Sequence, residues 1–128
     1  MHNAEIVANH IKNNHLNTSV KQMLAELLAF DKMPGNHVAK EGDCLFLYNL
    51  KKDGVHMYII NGGNGVGYLR SLRKFIQELK RAKVPKIYIR VQNKNSATNI
   101  GNAAGGKNIQ FEETNPGQVD PYTMSMEI

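Results

Sequence analysis

The sequence predicts a mixed α/β fold of the α+β class, and three features carry that expectation. Residues 44–48 (Cys-Leu-Phe-Leu-Tyr) and 55–60 are apolar on both faces, so each strand needs cover above and below, and the sheet lies between helices. A glycine-rich turn then leads into a helix whose apolar residues recur at three and four, and a strictly alternating strand over 86–92 follows it. Strand, helix and strand in that order make a crossover unit whose two strands run parallel.

Along the chain, Ile6, Val7, His10 and Ile11 fall on one stripe of a short helix over 4–13, which Asn13 and Asn14 end. Val20, Met23, Leu24, Leu27 and Leu28 mark a second helix over about 20–33; Ser19 with Gln22 forms a capping box and Pro34-Gly35 stops it. His37-Val38-Ala39 is a short strand that turns through Glu41-Gly42 into 44–48, and Asp53-Gly54 is the hairpin turn into 55–60. Leu69, Leu72, Phe75, Ile76 and Leu79 line the inner face of the third helix. Its outer face carries Arg70, Arg73, Lys74, Gln77, Lys80 and Arg81. Beyond 86–92 the chain is small and polar, with a short helix at 96–100 ended by glycines, and 109–112 pairs antiparallel with 122–128. The last strand puts Tyr122, Met124, Met126 and Ile128 on one face, a row expected to meet the core.

A chain of 128 residues is expected to form one domain over 1–128 and to bury roughly two-thirds of its unfolded surface. At 41% hydrophobic residues, disorder throughout is excluded. The single cysteine, Cys44, has no internal partner, and the first ten residues lack the charged start and apolar run of a secretory signal. No apolar run approaches the roughly 20 residues that span a bilayer, so the expected location is cytoplasmic with no membrane partner. The formal charge of +5 is unevenly placed: residues 1–66 are balanced, 67–107 carry ten Lys/Arg against one acid, and 108–128 carry four acids and no base. A positive field over 67–107 suits a phosphorylated ligand or nucleic acid; the plain alternative is a solvated helix face.

Asn61-Gly62-Gly63-Asn64-Gly65-Val66-Gly67 stands between a strong strand and a strong helix. Glycines so dense serve a tight turn or the close approach of a ligand, and free amides at a helix start face anions. The spacing fits neither the dinucleotide fingerprint nor a Walker loop. The order of elements resembles the GNAT superfamily, the acyl-CoA-dependent N-acetyltransferases. There the turn reads Gln or Arg, two residues, Gly, one residue, then Gly or Ala; Gly65 and Gly67 answer to the two small positions, and Gly62 stands where Gln or Arg is usual. Asn93 or Asn95, with Ala97, answers to the Asn and short helix that follow the next strand. Counted from Ala97, the family's tyrosine falls at Gly101 and its Gly-Phe pair at Gly105-Gly106, so the usual general acid is absent. Small divergent members of this fold occur in tailed phages, and the short length and lost motif residues suit that origin.

The resemblance implies a central mixed sheet flanked by helices, with acetyl-CoA as cosubstrate and an amine or protein as acceptor. The pyrophosphate would lie on the amides of Gly62, Gly63, Asn64, Gly65, Val66 and Gly67. Arg70 would add charge, and the pantetheine would pass between the strands ending at Ile60 and Gln92, beside Asn93. Acetyl transfer needs a deprotonated amine, a polarised carbonyl and a proton for the thiolate. Strand 55–60 has no carboxylate, which leaves His56, Tyr58 and, on the partner strand, Tyr88 as the catalytic candidates; such residues in a half-buried strand are more often hydrogen-bonded core residues than catalysts. Cofactor binding is therefore expected to outlast catalysis. The alternative is a structural or binding protein that keeps the fold and contacts nucleic acid or a virion through its basic helix. The five histidines show no ligand spacing, and no metal is expected.

Overall fold

A computed structural model describes residues 2–128. Four helices and one six-stranded sheet form among the described residues: α1 (Asn3–Asn13), α2 (Val20–Lys32), β1 (Asn36–Glu41), β2 (Cys44–Lys51), β3 (Gly54–Asn61), α3 (Gly65–Arg81), β4 (Lys86–Val91), α4 (Lys94–Ala104), β5 (Lys107–Glu113) and β6 (Tyr122–Glu127). The strand order is β1-β2-β3-β4-β6-β5. The meander β1-β2-β3 and the pairs β4-β6 and β5-β6 are antiparallel, while β3 and β4 run parallel, as the crossover unit requires.

The two faces of the sheet are buried by different means. On one, α3 and α4 cover Cys44, Phe46, Val55, Met57, Ile87, Ile89, Val91, Met124 and Met126. Phe46 and Phe75 stack there with centroids 4.3 Å apart. On the other, α1 and α2 close over Leu45 and Ile60 with Ile6, Val7 and Leu27. Each fully buried aliphatic contributes about 1.5–3 kcal/mol relative to leaving it exposed. The stripe over 4–13 is as expected, His10 included. In α2, however, Leu28 is 58% exposed; the inward face is Met23, Leu24 and Leu27. The expected capping box is half formed: Ser19 Oγ accepts from the Gln22 amide at 3.0 Å, but the Gln22 side chain donates to Glu26 instead of returning to Ser19.

The helix expected over 96–100 is an eleven-residue helix, α4. Asn93 Oδ1 caps its start by accepting from Ser96 N at 2.9 Å. Gly105, at φ 65°, turns its end so that the Gly106 amide reaches Gly101 O. Two caps and the buried stripe Ala97, Ile100, Gly101 and Ala104 offset the poor helix propensity of its asparagines. Part of the basic face of α3 is used structurally: Arg73 Nε and Lys80 Nζ donate to the last carbonyls of α4, Ala103 O at 3.3 Å and Ala104 O at 3.5 Å. Cations at a helix C-terminus oppose its dipole favourably.

Candidate active site

The site follows from a sheet that opens. β3 and β4 pair only at Val55–Ile87, His56–Tyr88 and Met57–Ile89. Beyond that point β3 stays with β2 to Asn61 and β4 stays with β6 to Val91, so the main chain of both strands faces a gap. The resulting cleft, about 470 Å³, is lined by Ile59, Asn61, Arg90 and Val91 of the strands and by Gln92 just beyond β4. His10 of α1, Asn14 just beyond it and Asp120 close one side; Gly65, Val66, Tyr68 and Leu69 of α3 with Ser96, Asn99 and Ile100 of α4 close the other.

The glycine turn divides by cause. A Cβ on Gly62 would stand 2.6 Å from Ile6 Cα, so close packing of α1 demands that glycine. One on Gly63 would press on Asp43 at 3.1 Å, whereas one on Gly65 would meet nothing. The amides divide in the same way. Gly62 N donates to Asp43 O, Gly63 N to Asn61 Oδ1, and Gly67 N to the capping Asn64 Oδ1 at 2.8 Å. Gly65 and Val66, the first residues of α3, are left with amides that find no acceptor among the described residues, and both line the cleft. They are the pair placed to hold an anion at a helix N-terminus.

On the α1 side the cleft holds a polar cluster. His10 is 7% exposed. Its Nδ1 accepts from the Asn61 amide at 3.2 Å and faces Asn14 Nδ2 at 3.3 Å, which leaves the hydrogen of the neutral ring on Nε2, 3.4 Å from the Tyr58 hydroxyl. Burial holds the His10 pKa below its ordinary value of 6.5. The Tyr58 hydroxyl in turn faces the Asp120 carboxylate. Burial raises the pKa of Asp120 above the ordinary 3.8, against the lowering influence of Tyr58, His10 and Arg90. Arg90 fixes the loop that carries Asp120 by donating Nε and Nη2 to its main-chain oxygen at 3.0 and 2.6 Å. Gln92 Nε2 donates to Asn14 Oδ1 at 2.7 Å, tying the end of β4 to α1. Desolvation also pushes up the Tyr68 phenol, and it raises the Cys44 thiol to about 11, so that thiol stays protonated.

Of the three catalytic candidates, Tyr58 alone belongs to this cluster. His56 and Tyr88 stack on each other at 4.2 Å with their planes 10° apart, and His56 Nε2 lies 3.0 Å from Asp53 Oδ1. They stand one pleat further down the sheet, in a groove of about 200 Å³ that also has Phe30, Leu47, Tyr58, Arg90 and Thr123 in its walls. The Ile60 side chain is buried toward α1 and α2, and its neighbours Ile59 and Asn61 line the cleft instead. Asn93 serves as the α4 cap and Arg70 is exposed on α3, neither of them in the cleft wall. A Cβ on Gly101, where the family's tyrosine would fall, would stand 2.6 Å from Ile109 Cδ1; that position is given over to packing of α4 on β5. Sequence reasoning missed Asp120 and the role of His10. His10 was visible on the buried stripe, but Asp120 lies in an irregular loop that no periodicity marks.

Neither a protein-family model nor a curated protein sequence matches the chain. Solved structures do. The ribosomal-protein-S18-alanine N-acetyltransferase of Escherichia coli superposes with a TM-score of 0.57 at 15% identity, covering 100% of this chain and 90% of that one. A spermidine N-acetyltransferase chimera of Vibrio cholerae SpeG and hSSAT superposes with a TM-score of 0.58 at 15% identity, covering 100% and 93%. The chain therefore has a GNAT-like fold. Among the described residues no helix is long and apolar enough to cross a membrane.

Proposed function

We propose that the protein is an acyl-CoA-dependent N-acyltransferase whose cosubstrate lies in the cleft between β3 and β4. The observation that carries this reading is the coincidence, at one place, of strand edges that part from each other beyond Met57 and Ile89 with the two open amides of Gly65 and Val66. The strand edges suit the amide-bearing pantetheine arm, which needs main-chain partners, and the helix start suits its pyrophosphate. Arg70, exposed one turn into α3, adds positive charge at the same end. Acetyl-CoA when bound would supply the activated acyl thioester. The residues of this chain orient that arm, exclude water with Tyr68, Leu69 and Ile100, and manage the proton of the acceptor amine on the His10 side. The two structural neighbours are named for very different amines, a protein alanine and a polyamine, so the fold by itself selects no acceptor.

The reading is tested by acetyl-CoA titration with Gly65→Asp as the control. The wild type should gain about 2.7 kcal/mol of unfolding free energy at a hundredfold excess over Kd. Gly65→Asp, whose side chain enters open space, should fold normally and lose binding, because it sets a carboxylate against the phosphates. No stabilisation of the wild type, or equal affinity in the two proteins, would sink the assignment.

A further inference from the structure

We infer that Asp120 is the general base of the transfer and that the acceptor is a compact primary amine with an apolar or aromatic body, entering along the groove below Tyr58. This rests on the acyltransfer reading above. Strand β3 offers no carboxylate, yet the cleft has one, brought in from the loop before β6. Its position is built rather than incidental: Arg90 clamps its main chain with two hydrogen bonds, and the Tyr58 hydroxyl, 3.4 Å from His10 Nε2, faces its carboxylate. His10 cannot take the base's role, since Nδ1 already accepts from Asn61 and Nε2 donates toward Tyr58.

The groove meets the cleft at Arg90, which lines both. Its apolar and aromatic walls, Phe30, Leu47, Met57, Tyr58 and Tyr88, are surfaces that take a flat or apolar body, and Asn49, His56, Arg90 and Thr123 add polar groups beside them. A cationic head at its upper end would meet the Asp120 carboxylate, while the Arg90 charge disfavours the ammonium form and so promotes its loss of a proton. The step balances. The ammonium gives one proton to Asp120, the freed lone pair forms the N–C bond to the thioester carbonyl, and the C–S bond breaks. The second nitrogen proton ends on the sulfur as thiol, and Asp120 releases its own to solvent.

The groups facing Asp120 and its hydroxyl partner are His10 on α1, Glu26 on α2, Tyr58 on β3, Tyr68 on α3 and Arg90 on β4. Asp120→Asn keeps the main-chain oxygen that Arg90 needs, so it should fold as the wild type does. With acetyl-CoA and phenethylamine, the variant should lose about 10²–10⁴ in kcat, keep its acetyl-CoA affinity within threefold and lose the acidic limb of the pH–rate profile. Asp120→Glu should recover part of the rate, and ethanolamine should be a poorer acceptor than phenethylamine by kcat/KM. A wild type that binds acetyl-CoA and turns over phenethylamine, with Asp120→Asn within threefold in kcat, would overturn the base assignment alone. So would turnover equally fast for ethanolamine, as to the acceptor class. Binding of acetyl-CoA with no turnover of any amine would overturn this inference and leave the cofactor site standing, whereas absence of acetyl-CoA binding would overturn both.

Discussion

At the level of single residues, the cleft depends on a histidine that must stay neutral. The His10 ring is buried, accepts at Nδ1 and donates at Nε2, and its pKa lies below 6.5 because desolvation disfavours the imidazolium. The unfolded chain therefore binds more protons than the folded one once the pH falls below about 6.5, and stability decreases from there down to the depressed folded value. Asp120 has the opposite sign: its raised pKa weakens the folded state as pH climbs from 3.8. Urea unfolding between pH 7.5 and 5.5 should show a loss of stability on the acid side that His10→Gln lacks, because the amide titrates nowhere in that range. An equal slope in both proteins would remove His10 from the account. Tyr58 was legible as a candidate because it and His56 are the polar side chains of an otherwise apolar stretch, 55–60; Asp120 was not, because its place is fixed by Arg90 reaching 30 residues along the chain, a contact that no local pattern encodes.

The elements themselves were legible nearly throughout, since their apolar periods match the faces they bury. The differences arise where tertiary contacts outweigh propensity. α4 extends to eleven residues because both of its ends are capped and α3 supplies cations to its last carbonyls, while α2 leaves Leu28 exposed and packs Met23, Leu24 and Leu27 inward. The glycine turn stands out in the sequence, but its glycines are there for different reasons. Gly62 lets the backbone of α1 close on the end of β3, and Gly65 leaves a helix start open. The two therefore answer differently to the same substitution. Gly62→Ala should displace α1 and cost about 1–3 kcal/mol, whereas Gly65→Ala should stay within about 0.5 kcal/mol of the wild type. Paired thermal unfolding of the two variants decides it, and equal midpoints would show that the α1 contact is not what fixes Gly62.

For the whole molecule, the excess positive charge after residue 66 and the acidic tail beyond residue 107 acquire positions. Part of the basic set caps α4, part is exposed beside the turn, and one acidic residue of the tail returns to the cleft as Asp120. The sheet thus separates two approaches to one gap, with a helix start and basic surface on one side and His10, Tyr58 and Asp120 on the other. Whether that gap is a ligand site is read most directly from amide chemical shifts during an acetyl-CoA titration. The account predicts large changes at Ile59, Asn61, Gly65, Val66, Val91 and Gln92, with β1 and β5 unmoved. Changes confined to the outer face of α3, or none at saturating cofactor, would contradict it.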